Sequence, residues 1–142
     1  MHRDPDCAFC RIASGDAPSH KVYEDDVVLA FMDIAPVGEG HTLVIMKEHF
    51  ENLAEASDAS LASVVRVSRR IAKAIQETLA PDGLLVVQTN GAAAGQTVFH
   101  YHMHLIPRRS GSPFGLHGRR LEDPQKLAQL AATLVRATLE AS

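Results

Sequence analysis

The chain has 142 residues, with 14 Lys and Arg against 17 Asp and Glu, a formal net charge of −3, and 46% apolar residues. That is long enough to bury a hydrophobic core, and the weak negative charge argues against a broad surface for nucleic acid or anionic membrane. No apolar run approaches the roughly 20 residues of a membrane span. The polar start Met1-His2-Arg3-Asp4-Pro5-Asp6 lacks the apolar stretch of a secretory signal, so the expected compartment is the cytosol, where two cysteines stay reduced.

No linker, repeat or low-complexity tract interrupts residues 1–142, which read as one domain. Residues 21–23 and 27–31 read as short strands around the turn Glu24-Asp25-Asp26. Residues 33–40, with Pro36, Gly38 and Gly40, read as a loop, and 41–46 as a third strand. Helical spacing of Leu61, Val64, Val65, Ser68, Ile71, Ala72 and Ile75 predicts a long helix over 57–80. Arg66, Arg69, Arg70 and Lys73 form its polar face, and Pro81-Asp82-Gly83 ends it. Residues 84–88 form an apolar strand, 90–95 a glycine-rich loop, and the following histidine stretch a fifth strand. The last two strands adjoin through a short loop and are expected to pair as an antiparallel hairpin. After a loop over 110–118, residues 124–139 read as a second helix. This order of strands, helix, strands, helix favours an α+β fold with the long helix on one sheet face.

His100, His102 and His104 alternate with Phe99, Tyr101, Met103 and Leu105. A strand repeats its facing every second residue, so the three imidazoles are expected on one face and the apolar residues on the other. Buried structural histidines would leave many ring nitrogens to satisfy, and a solvated His-rich strand is the other plain reading. Spread over about 13 Å, the rings suit a line of separate roles better than one tetrahedral metal cage. The preceding Asn90-Gly91-Ala92-Ala93-Ala94-Gly95-Gln96-Thr97 reads as a hairpin loop or, being directly before the histidines, as a phosphate-binding loop whose small residues let backbone N–H groups approach an anion. It lacks the Gly-Lys-Ser/Thr ending of a Walker A loop. Cys7-Ala8-Phe9-Cys10 is half a zinc site, a redox dithiol out of its usual βαβ context, or two plain thiols.

The run Gly95-Gln96-Thr97-Val98-Phe99-His100-Tyr101-His102-Met103-His104-Leu105-Ile106 resembles the signature of the histidine-triad (HIT) family. Phe31-Met32-Asp33-Ile34-Ala35-Pro36 and Gly40-His41-Thr42-Leu43-Val44-Ile45 are similar to its nucleoside-binding segment and fourth histidine. Cys7-Ala8-Phe9-Cys10-Arg11-Ile12 is similar to the opening of its Hint-like and bacterial branch. The likeness spans residues 7–108, with 109–142 as a C-terminal loop and helix. It implies a sheet of about five antiparallel strands with two helices, and a homodimer formed through the long helix and a sheet edge. It also implies nucleotide hydrolysis or nucleotidyl transfer at the α-phosphorus of a purine nucleotide, as a nucleoside phosphoramidase or a dinucleoside polyphosphate hydrolase.

By the same resemblance His102 is the nucleophile, and His104 stabilises charge on phosphate. Gln96 and Thr97 bind phosphate, Thr97 also helping the leaving group, and His41 joins the cluster by hydrogen bonding. Phe9, Ile12, Phe31 and Ile34 would wall the base, Asp33 would accept from ribose hydroxyls, and Gly95 and Asn90 would line the nucleotide site. Zinc-containing relatives imply a structural Zn2+ on Cys7, Cys10, His49 and His100. The chain departs from the family at Thr89, where relatives often place an Asn, at Met46, where many have Pro, and over residues 110–120, which have no strong counterpart. Arg108 and Arg109 read as solvated arginines or as contacts to a polyphosphate. The rival reading is a nucleotide-binding or zinc-stabilised interaction module with little turnover.

Overall fold

The computed structural model describes residues 1–113 and 119–141. Five antiparallel strands, β1 (Lys21–Glu24), β2 (Val28–Met32), β3 (Thr42–Met46), β4 (Gly83–Val87) and β5 (His102–Arg108), form one sheet in the order β1-β2-β3-β5-β4. Among the described residues they are joined by three α-helices, α1 (Ala8–Ser14), α2 (Asp58–Leu79) and α3 (Pro124–Glu140). The architecture is α+β, as expected from the order of the elements.

Every residue of β2 and β3 is buried, because both faces of the central sheet are covered. Alternation divides them cleanly. Val28, Ala30, Met32, Val44 and Met46 face α2 and α3, meeting Val64, Ile71, Ile75, Leu127 and Leu134 in the main core. Leu29, Phe31, Leu43 and Ile45 face the other way and pack under Phe9 and Ala13 of α1. In the β3–β5 register Ile45 lies opposite His102 and Leu43 opposite His104. Directly paired residues share a face, so these two imidazoles emerge beside α1, while Leu105 and Met103 go to the α2 side.

Helix α2 begins as its sequence demands. The Ser57 hydroxyl accepts from the Ser60 N–H at 3.2 Å, and the chain leaves at Ala80 with φ 44° before Pro81. Arg70 Nη2 donates to the Thr138 carbonyl at 3.1 Å, tying α2 to α3.

Three expectations need correction. Helix α1 occupies a segment assigned no element; seven residues are too few to show helical periodicity. Its ends are nevertheless capped, by Cys7 Sγ accepting from the Cys10 N–H and by Gly15 at φ 88°. Second, the histidine strand is regular only from His102, because residues 98–100 bend. Tyr101 N–H bonds to the Phe50 carbonyl at 2.7 Å instead of to a strand, and its ring enters the main core. The three histidines therefore do not share one strand face. β4 and β5 pair antiparallel as expected, but their link is long and contains a 3-10 turn, Ala92–Ala94. The expected loop over 110–118 falls largely on residues 114–118, outside the described residues.

The loop from β2 to β3 matters most for the site, because Asp33 and His41 stand at its two ends. It is packed against the far end of β5: a Cβ at Gly38 would overlap the Pro107 carbonyl oxygen, and one at Gly40, at φ +91°, would overlap the Leu79 side chain. Since the obstruction at Gly38 is backbone, which cannot rotate away, Gly38→Ala should lower stability by about 1–3 kcal/mol. Chemical denaturation would show this as a lower midpoint with an unchanged slope; an unchanged midpoint would mean the loop is free to shift.

Candidate active site and metal cluster

His102 is 5% exposed, and its Nδ1 lies 2.7 Å from the His100 carbonyl oxygen. A carbonyl only accepts, so Nδ1 carries the proton and Nε2 keeps its lone pair. Burial pushes the His102 pKa below its ordinary 6.5, opposed by that hydrogen bond. The ring is a neutral base with one nitrogen locked and the other available for attack. Phe9 stands edge-on to it, with ring centroids 5.1 Å apart.

A second chain of bonds fixes the other two imidazoles. The Val37 N–H donates to His41 Nδ1 at 3.1 Å, so neutral His41 carries its proton on Nε2. That proton points to His104 Nδ1, 2.9 Å away, which must accept. His104 is thereby left with its proton on Nε2, as a donor. Burial lowers His41 to about 4 and His104 to about 3, so both are neutral near pH 7. Asp33 stands beside them, Oδ2 at 3.5 Å from His41 Nε2. Its Oδ1 accepts from the Ala35 N–H at 2.8 Å, and its Oδ2 pairs with Arg119.

Asp33, His41 and His104 bring possible ligand atoms within 4.8 Å of one another. The hydrogen bonds argue against a cation there. His41 Nδ1 has given its lone pair to Val37, its Nε2 bears the proton, and a guanidinium already occupies the carboxylate. The three are a proton-ordering relay.

His102 and His104 open onto a slot of about 290 Å³, whose apolar walls include Phe9, Ile12, Phe31, Ile34, Leu43 and Val98. Asp33 and Thr97 also line it, so the slot gathers most of the residues expected around a nucleoside. Gly95 and Thr97 border a neighbouring cavity that shares His104. Gln96 and Asn90 stand apart from both. Gln96 is buried, its Oε1 accepting from Gly91 N–H at 2.7 Å and its Nε2 donating to the carbonyls of Glu51 and Val98 at 2.6 and 3.1 Å. With these bonds made, Gln96 ties the loop down. Asn90 is exposed and engages Gln88 and the Leu53 N–H.

Two polar slot residues were not picked out from the sequence. Ser19 Oγ is buried in the slot wall without a hydrogen-bond partner among the described residues. Arg119 reaches the site from the segment before α3. No periodicity or motif marks either; only the tertiary fold brings them in.

The expected metal ligands converge. His100 Nδ1 lies 3.5 Å from both Cys7 Sγ and Cys10 Sγ, and His49 Nδ1 lies 3.3 Å from both Cys10 Sγ and His100 Nδ1. A tetrahedral zinc with Zn–N near 2.0–2.1 Å and Zn–S near 2.3 Å has N···N edges of about 3.4 Å and N···S edges of about 3.6 Å. His100 Nε2 donates to the Met46 carbonyl at 2.7 Å, which leaves the Nδ1 lone pair facing the cluster. Burial pushes the Cys10 thiol up to about 11, so a metal would have to displace its proton.

The HIT domain pattern matches residues 14–111. The protein named Protein hit of Bacillus subtilis is 44% identical over 140 residues, covering 96% of this chain and 97% of its own. The zinc-bound histidine triad family protein of Mycobacterium smegmatis superimposes with a TM-score of 0.83 at 40% identity, covering 95% of this chain and 94% of that one. Adenylylsulfatase HINT3 of Arabidopsis thaliana is 40% identical over 104 residues, 73% of this chain and 53% of that protein. With a HIT domain match over most of its length, near-full-length relatives and two fixed imidazole tautomers above an apolar slot, the chain belongs to the histidine-triad (HIT) family.

Proposed function

We propose that this protein hydrolyses purine nucleotides at the α-phosphorus through a covalent nucleotidyl–His102 intermediate. The observation that carries the reading is the tautomer of His102: a neutral ring, Nδ1–H held by the His100 carbonyl, with Nε2 left as a lone pair at the end of an apolar slot. The base occupies the apolar end between Phe9, Ile12, Phe31 and Ile34, and the ribose hydroxyls lie toward Asp33.

Nε2 of His102 attacks phosphorus; the bond to the leaving group breaks, and the leaving group keeps the electron pair. His104 donates its Nε2–H to a phosphate oxygen, His41 holding it in that tautomer. An amine leaving group takes one proton as it departs, which Thr97 supplies and recovers from the attacking water. A sulfate or phosphate needs none, and in that case the proton lost by the attacking water is released to solvent. Water then attacks phosphorus, the P–N bond breaks, and the lone pair returns to Nε2. Gln96 contributes by tying the loop that carries Thr97, and Gly95 by leaving the loop wall open beside it; Asn90 acts through the same loop. The candidate leaving groups are an amine, a nucleotide and, by likeness to the plant adenylylsulfatase, sulfate.

Zinc on Cys7, Cys10, His49 and His100 is part of this reading, supported by the ligand spacing and by the zinc-bound relative. Four protein ligands leave it no open position, so its role is structural. A homodimer is also proposed: β4 is an edge strand with Val86 half exposed, suited to pairing with a second copy.

His102→Ala should cut turnover at least about a thousandfold while nucleotide binding stays within a few-fold. Chromatography of AMP released from adenosine 5′-phosphoramidate, diadenosine tetraphosphate and adenosine 5′-phosphosulfate reads this. Equal release by the variant would leave a binding module.

Elemental analysis of protein purified without chelator should find about one zinc per chain, and His49→Ala should lose it together with several degrees of Tm. Zinc well below that level would remove the metal from the reading.

His41 and His104 have folded pKa values below the unfolded 6.5, so the unfolded state binds more protons once pH drops beneath 6.5. Their contribution is complete above about pH 6.5 and is lost as pH falls through about 4 for His41 and about 3 for His104, with a limiting slope of about 2–3 kcal/mol per pH unit. Denaturant midpoints measured from pH 8 to 4 would trace it; a flat profile would contradict buried neutral rings.

A further inference from the structure

Beside the base slot lies a second cavity of about 470 Å³, walled by Ala92, Ala93, Ala94 and Gly95. Thr97, His104 and Arg119 line both cavities, whereas His102 lines only the slot. This arrangement has a direction. With the base in the slot and the α-phosphate at His104 and Thr97, the phosphorus sits at the junction. In-line displacement sends the leaving group away from the nucleophile, so it departs into the cavity that His102 does not border.

The chemistry of that cavity is asymmetric. Its loop wall is methyl groups and a glycine, with no carboxylate. Among the described lining residues Arg119 is the only one charged near pH 7. The guanidinium is held, not loose: Nε donates to the Ala35 carbonyl at 2.6 Å and Nη2 pairs with Asp33. The Glu122 N–H bonds to the Ile34 carbonyl at 2.9 Å, fastening the same segment to the β2–β3 loop by its backbone. Among the described residues Nη1 makes no hydrogen bond. Asp33 already balances the charge, so what Arg119 offers is a directed, charge-assisted donor, the kind of group that recognises an oxyanion.

We propose that Arg119 makes this cavity selective for an anionic leaving group, a sulfate or a phosphate chain, over a neutral amine. The inference rests on the hydrolase reading above and names the substrate class within it.

The test compares kcat/KM for two anionic-leaving-group substrates, adenosine 5′-phosphosulfate and diadenosine tetraphosphate, with that for adenosine 5′-phosphoramidate. The wild-type protein, Arg119→Ala and Arg119→Lys are measured side by side. The anionic-to-amide ratio should fall about 10- to 100-fold in Arg119→Ala and recover in part in Arg119→Lys. A fall for only one of the two anionic substrates assigns the cavity to compact sulfate or to an extended polyphosphate. A loss shared equally by all three substrates, which a merely structural role produces, overturns the proposal, as does no change. Calorimetric binding of the same ligands in a His102→Ala background reads the same ratio without turnover. Wild-type protein inert on all three would sink the hydrolase reading alone, while an unchanged binding ratio would sink the role of Arg119.

Discussion

His100 is the residue on which the site depends, because it faces two ways. Its backbone carbonyl fixes the His102 tautomer, and its own ring sits among Cys7, Cys10 and His49 with Nε2 anchored on the Met46 carbonyl. The bend at 98–100 makes both possible at once. In a regular strand the His100 ring would have pointed with His102 and His104. Turned aside, it leaves the apolar slot and pins the very peptide whose carbonyl orients His102. A small displacement of that carbonyl would free the His102 ring to rotate or change tautomer, and a lone pair aimed elsewhere is no nucleophile. The sulfur and nitrogen cluster therefore bears on the His102 tautomer from outside the slot, by holding His100 still.

The remaining imidazoles solve a related problem. Burying histidine is unfavourable unless each nitrogen is satisfied. Here backbone partners anchor two short chains of bonds that leave only Nε2 of His102 and of His104 open to the slot: His102 Nδ1 ends on the His100 carbonyl, and the His41–His104 relay begins at the Val37 N–H. Because both ends are backbone, the polarity of each chain is set by the fold. The outcome is two ring nitrogens of opposite character at one site, an acceptor on His102 and a donor on His104. Attack on phosphorus with stabilisation of its oxygens requires that pair. Burial keeps the rings neutral, which preserves the distinction; a protonated imidazole would donate from both nitrogens.

Much of this is legible in the amino-acid sequence. The apolar runs that form β2 and β3 announced strands, and the helical spacing in α2 announced the long helix that packs on them. The His-x-His-x-His run announced chemistry because three adjacent imidazoles have no economical structural use. Other features were hidden for physical reasons. Helix α1 is too short for periodicity to speak, and its cysteine cap looks like half a metal site whether or not a helix follows. The bend before His102 arises from Tyr101 entering the core and pairing with Phe50, a long-range event. Gln96 advertises an amide suited to phosphate, but the fold presents it with Glu51, Gly91 and Val98 and the amide is consumed. Arg119 is one arginine in an unpatterned segment, and its meaning comes from the Asp33 and Ala35 it reaches.

That contrast separates two kinds of information in the chain. His102, His104 and the apolar slot lie on or beside β2, β3, β5 and α1, where sheet register and core packing leave little freedom, so local sequence suffices to announce them. The neighbouring cavity is bordered by loop 91–97 and by Arg119; that loop and residues 119–122 meet the rest of the protein through a few hydrogen bonds and bury little of their own surface. Substitutions there cost the fold little, whereas substitutions in the sheet would disturb the main core. Under the proposed hydrolase reading, a protein arranged in this way can hold the attack on phosphorus constant and change what is expelled, because the two functions rest on parts of the structure with different mechanical stakes.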